Sequence, residues 1–153
     1  MSAFELKSER ATRALAERVA PHVHAGDLLV LTGPLGSGKT FFARALCRAL
    51  GLPARTRVPS PTFTLVHEHP TTPPVSHADL YRLRDENDVR GLGLDAQRDD
   101  GRVLLVEWGE PYIDALGGDA LVIELSVGPR RAVLRASGPR SNELLSALGR
   151  PEA

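Results

Sequence analysis

The sequence predicts an α/β fold, with a mixed, mostly parallel central sheet, helices packed on its faces and antiparallel strands at its edges. Three observations predict it. Leu28-Leu29-Val30-Leu31 and Val103-Leu104-Leu105-Val106 are continuous apolar runs that lack the alternation of a half-buried strand, so both read as strands covered on two faces. The first run leads through a glycine-rich turn into residues 41–50, whose apolar residues recur at helical spacing and stop at Gly51, with Pro53 following. Residues 119–126 and 131–136 flank Val127-Gly128-Pro129-Arg130, the pattern of a β-hairpin.

Composition narrows the class. A chain of 153 residues is long enough to bury one core without staples, so residues 1–153 are expected to form a single domain. Hydrophobic content of 42% with 25% charged residues is that of an ordinary soluble protein. A formal net charge of zero argues against autonomous nucleic-acid binding, which rests on many cationic contacts to phosphate. It leaves open a role in a complex that holds RNA through other subunits. Cys47 is the single cysteine, so no disulfide forms within the chain, and its place in the helix reads as core. Glu5, Lys7, Glu9 and Arg10 interrupt the amino terminus, and no apolar run approaches spanning length. A cytoplasmic protein that does not enter membranes is therefore expected.

The remaining elements follow in order. Residues 3–6 alternate as a short first strand, and Ser8 is placed to cap a helix carrying Ala11, Leu15 and Val19 on one face, ending near Pro21. Residues 55–61 hold two prolines and two arginines and read as irregular. Residues 63–68 and 75–80 read as neighbouring antiparallel strands around a proline-laden turn. Asp85 caps a short helix through Arg90, broken by Gly91 and Gly93. Ser141 is read as the cap of a closing helix through Leu148.

Gly33-Pro34-Leu35-Gly36-Ser37-Gly38-Lys39-Thr40 fits G-x-x-x-x-G-K-[ST], a loop that wraps the phosphates of a nucleotide. Glycines allow tight turning, so consecutive backbone N–H groups point at anionic oxygens. Lys39 then reaches the β- and γ-phosphates and the Thr40 hydroxyl is free for Mg²⁺. The following helix starts beneath the phosphates, where its positive end favours an anion. The expected nucleotide contacts here are Gly33, Gly36, Ser37, Gly38, Lys39, Thr40 and Phe41.

Such a loop needs a second acid for Mg²⁺ or its waters, placed where a buried strand emerges beside it. Glu107, after Val103-Leu104-Leu105-Val106, has that place, which makes Thr40 and Glu107 the candidate metal ligands. Asp79 is a further candidate, sharing a strand face with His77, either to order water or simply to pair with Arg82. Thr62 and Thr64 suit a γ-phosphate sensor or plain strand formation. His67 and His69 share a face but lack a third ligand and precede Pro70, which reads against zinc. Arg130 and Arg131 sit at a hairpin turn, where solvation is usual.

Taken together, the phosphate loop, Ser60-Pro61-Thr62-Phe63-Thr64, His77-Ala78-Asp79-Leu80-Tyr81-Arg82 and Val106-Glu107-Trp108 resemble the TsaE family, over nearly the whole chain. The resemblance implies a P-loop NTPase-like three-layer fold and ATP hydrolysis with Mg²⁺ held through Thr40 and Glu107. It implies that Asp79 is needed for hydrolysis alongside Lys39, that Trp108 lies beside the nucleotide site, and that Glu9 and Arg131 approach the nucleotide. It further implies action with the TsaD–TsaB pair on adenosine 37 of tRNA, with tRNA contacted indirectly through that pair. One departure is Pro34, where the family commonly has Asp. Two alternatives remain at this stage: a small kinase passing the γ-phosphate to a metabolite, and a nucleotide-sensing module whose hydrolysis is incidental.

Overall fold

In chain order the elements are β1 (Ser2–Glu5), α1 (Glu9–Val19), β2 (Leu28–Thr32), α2 (Lys39–Ala49), β3 (Val66–His69), β4 (Val75–Asp79), α3 (Glu86–Arg90), α4 (Leu94–Asp99), β5 (Val103–Glu107), β6 (Ala120–Ser126), β7 (Arg131–Ala136) and α5 (Pro139–Ala147). They are taken from a computed structural model that describes residues 1–61 and 65–149. The strands form one seven-stranded sheet in the order β1-β7-β6-β2-β5-β4-β3. β2 runs parallel to β5 and β6, and β5 parallel to β4, whereas β1, β3 and β7 pair antiparallel toward the edges. This is the mixed sheet the apolar runs imply.

Alternation along the strands separates two apolar layers. Leu29, Leu31, Leu105, Leu121 and Ile123 face α1, α2 and α5, meeting Leu15, Phe42, Leu46 and Leu144. Leu28, Val30, Leu104, Val106 and Val122 face the other way, toward Val89 of α3 and Leu94 of α4. Three layers result. Cys47 lies in the first core, where burial pushes its thiol up to about 12.

Local chemistry sets the boundaries. The Ser8 hydroxyl accepts from Ala11 N at 3.1 Å and starts α1 as expected. Ser141 is not the cap of α5. The helix begins after Gly138, and the Asp119 carboxylate, from the start of β6, accepts from Arg140 N and Ser141 N at 2.9 Å each. A Cβ on Gly138 would lie 2.6 Å from that carboxylate, so a side chain there would displace it. Helix α4 was not expected: it follows directly on Gly93, which has φ +70 and holds the chain in a left-handed turn between two short helices. β3 starts at Val66, and the first residues of the strand expected over 63–68 lie outside the described residues.

The amino ends of the central strands are tied by guanidinium groups. Arg98 donates to the carbonyls of Gly26, Leu116 and Gly118 at 2.8, 2.8 and 2.7 Å. Arg140 grips both oxygens of Asp27 at 2.9 and 3.0 Å and donates to His22 O at 2.7 Å. At the carboxyl ends, Leu31 pairs in register with Glu107, and Glu107 with Asp79, so three strand tips sit level. In open α/β sheets that edge is where ligands bind. Among the described residues no helix is long and apolar enough to cross a membrane.

Candidate functional site

β2 delivers the chain to Gly33, where φ is +141 and an added Cβ would lie 2.2 Å from Leu125 O and 2.8 Å from Ser37 Oγ. Only glycine fits without moving the backbone of β6. Ser37 N closes the turn by donating to Pro34 O at 3.1 Å. Pro34 therefore serves the loop through its carbonyl, which any residue at that position would offer. Gly38, at φ +101, is the N-cap of α2 and supplies no side-chain cap. The N–H groups of the first turn of α2 thus lack intrahelical partners at the mouth of the loop, the arrangement that accommodates phosphate.

Lys39 is buried and folded back over its own loop. Its ammonium donates to Gly33 O at 2.7 Å and Pro34 O at 2.9 Å, with Ser37 Oγ at 3.4 Å. Burial pushes the group below the ordinary lysine value, and the charges of Glu107 and Asp79 oppose that shift. The lysine is thus held next to the place a phosphate would occupy.

The acids come from the level strand tips. The Thr40 hydroxyl, in the first turn of α2, donates to Glu107 Oε1 at 2.9 Å. Glu107 Oε2 is 2.6 Å from His77 Nε2, and both side chains are buried. Asp79, also buried, accepts from Tyr81 N through Oδ1 at 2.9 Å. A hydroxyl and two carboxylates gathered beside the loop are hard oxygen donors, the kind that suit Mg²⁺ rather than a soft metal. Thr40, Glu107 and Asp79 are thus the residues able to hold such a cation.

Trp108 follows Glu107 with φ +61, a left-handed backbone that bulky residues rarely adopt. Its N–H donates to Leu31 O at 3.2 Å, which fixes the turn. The ring packs against Tyr81 with centroids 4.8 Å apart, and the Lys39 ammonium lies 4.3 Å from its centre. Leu35, at the loop tip, is 73% exposed and Tyr81 55%, so the site has an apolar surround open to solvent.

The structure thus brings together Gly33, Gly36, Ser37, Gly38, Lys39, Thr40, Asp79, Glu107 and Trp108. Phe41 points toward α1, where the Arg13 guanidinium sits 5.9 Å over its ring. Glu9 and Arg131 are both exposed, Glu9 at the first turn of α1 and Arg131 at the start of β7. The Arg130 guanidinium, next to Arg131, lies 3.5 Å from Gly36 O. Spacing alone does not separate these adjacent arginines. The link from His77 to Glu107 is not signalled by sequence spacing, although both residue types and their strand positions are visible there. Thr62 and Thr64 lie outside the described residues.

The chain is similar to known proteins in sequence and in fold. The family model described as "Threonylcarbamoyl adenosine biosynthesis protein TsaE" matches residues 6–133. A Streptomyces coelicolor protein named "tRNA threonylcarbamoyladenosine biosynthesis protein TsaE" is 41% identical over 117 residues, covering 74% of this chain and 77% of the relative. A Bacillus subtilis protein of the same name is 36% identical over 144 residues, covering 91% and 88%. The crystal structure of Bacillus subtilis YdiB superposes with a TM-score of 0.80 at 29% identity, over 95% of this chain and 92% of that one.

Proposed function

The chain belongs to the TsaE family of tRNA threonylcarbamoyladenosine biosynthesis proteins, and from that premise we propose that it is a Mg²⁺-dependent ATPase acting with the TsaD–TsaB pair. The observation that carries the reading is the convergence on one loop of Lys39, Thr40 and Glu107, with Asp79 at the neighbouring strand tip. ATP seats its phosphates on the N–H groups of the loop and α2. Lys39 leaves the Gly33 and Pro34 carbonyls for the β- and γ-phosphates. Thr40 and Glu107 would hold Mg²⁺, which would neutralise charge on the phosphate oxygens. Asp79 orients a water toward the γ-phosphorus. The new P–O bond forms as the bond to the β-phosphate oxygen breaks, releasing ADP and phosphate.

Positioning and electrostatics supply most of the acceleration in such reactions. The exposure of Leu35 and Tyr81 around the loop supports a partner that completes the site. Hydrolysis is therefore slow for the isolated chain and faster with the TsaD–TsaB pair, whose chemistry on tRNA it serves. Calorimetric titration with ATP and Mg²⁺, followed by steady-state assays with and without the pair, tests the reading. Absence of adenine nucleotide uptake would overturn it, and equal rates in the two assays would remove the partner's role.

A further inference from the structure

We propose that His77 is a positioning residue that fixes the Glu107 carboxylate for metal-bound nucleotide. This deepens the reading above and rests on it. Glu107 is a buried acid whose two oxygens have different partners: Oε1 accepts from Thr40 Oγ1 at 2.9 Å, and Oε2 meets His77 Nε2 at 2.6 Å. The Oε2 contact holds the carboxylate's torsion even where Thr40 would give up Oε1 to an incoming group. Only Oε1 is turned to the phosphate loop. The Oε2 contact is made deep in the sheet, at a ring with no exposed surface.

The geometry follows from strand register. Asp79 lies opposite Glu107 across the parallel β4 and β5, which puts His77 two residues behind, on the same face. His77 therefore sits beneath Glu107, while Asp79 flanks it at the tip. The other ring nitrogen, Nδ1, is buried without a hydrogen-bond partner among the described residues. Among the described residues the ring's one hydrogen-bond contact is thus to Glu107, and because a carboxylate accepts, the hydrogen is assigned to Nε2. His77 stands between the His69 ring, 6.4 Å away centroid to centroid, and the Glu107 carboxylate, so its polar edge is turned to the acid. Metal sites commonly orient a ligand through an outer hydrogen bond, and loss of that bond weakens metal binding.

Titrating ADP or ATP calorimetrically into the full chain, once in EDTA and once in Mg²⁺, separates metal-linked binding from bare nucleotide binding. For the unmodified protein, Mg²⁺ tightens binding. His77→Leu keeps the affinity seen in EDTA but loses about tenfold or more of the affinity seen in Mg²⁺. His77→Gln, whose amide N–H reaches the place of Nε2–H, recovers most of that loss. Full Mg²⁺ enhancement in His77→Leu, or equal loss in the leucine and glutamine variants, overturns the proposal. Because a buried substitution can compromise folding, the unmodified protein supplies a second check. The ¹⁵N resonances of the His77 ring are expected to show the hydrogen on Nε2, and a hydrogen on Nδ1 instead overturns the assignment. If the unmodified protein takes up no nucleotide at all, the nucleotide reading itself falls and takes this role with it. Normal uptake with an indifferent His77→Leu removes His77 alone.

Discussion

The Lys39 ammonium rests 4.3 Å from the centre of the Trp108 ring, held there by the carbonyls of Gly33 and Pro34. A cation over an indole is stabilised by about 1 kcal/mol or more as it is desolvated, and burial removes much of the water from this one. Phosphate competes for the same charge. Trp108 is the only tryptophan in the chain, so its fluorescence is expected to change when ATP draws Lys39 away. In Lys39→Ala the signal no longer responds, and nucleotide affinity falls by about 10- to 100-fold, the worth of a charged hydrogen bond. An unchanged response in that variant would show that the lysine does not move to the ligand.

Asp79 sits at the tip of β4 with one oxygen committed to Tyr81 N. Asp79→Ala is expected to retain ATP binding while hydrolysis drops by about 10²-fold or more, the usual contribution of a positioned acid or base. Binding and single-turnover hydrolysis measured on the same preparation decide the matter. Lost binding would move Asp79 from the reaction to the framework.

Two glycines of one loop should respond differently to the same methyl group. At Gly33 it would meet Leu125 O at 2.2 Å, whereas at Gly36 nothing lies within 4 Å and only the φ of +77 opposes it. Gly36→Ala therefore costs about 1 kcal/mol, near the low end for a strained backbone, and Gly33→Ala more than about 2 kcal/mol. At about 2–4 °C per kcal/mol for a chain of this size, melting curves resolve the two. Equal melting temperatures would contradict the contact with β6.

The Asp119 carboxylate makes stability depend on pH. Burial works to raise it, but hydrogen bonds from Ser141 N, Ser141 Oγ and Arg140 N, with the charge of Arg98, hold it below the ordinary carboxylate value. A depressed folded value contributes stability that is complete above the unfolded value, about 3.9, and lost as pH falls through the folded one. Asp119→Asn removes it without backbone strain, because Asn tolerates the φ of +54 as Asp does. Urea unfolding should show the variant about 1–3 kcal/mol less stable at pH 7, with the gap narrowing as the pH falls below the unfolded value of about 3.9. A gap independent of pH would exclude the charge as its source.

Much of this architecture was legible because its signals are local. The runs of β2 and β5 and the Gly33-to-Thr40 loop each declare themselves within a few residues, and Glu107 follows from its place at a strand end. What escaped depends on residues distant in sequence. Ser141 has the look of a cap, yet the group that caps α5 is Asp119, 22 residues earlier. His77 meets Glu107 only because β4 and β5 align in one register, and no short window encodes that pairing. Helix α4 carries four charged or amide residues in six, so no apolar periodicity announces it.

The two rims of the sheet are fastened in unlike ways. Where the central strands begin, the clasps of Arg98 and Arg140 use main-chain carbonyls and one carboxylate, partners that persist through any reaction cycle. Where the strands finish, Lys39 on Gly33 O and Pro34 O, and Thr40 on Glu107, are provisional knots that an incoming triphosphate would untie and retie on itself. Loading the protein should therefore stiffen one rim and leave the other unaltered, a mechanical asymmetry that amide exchange would map onto a single side of the molecule.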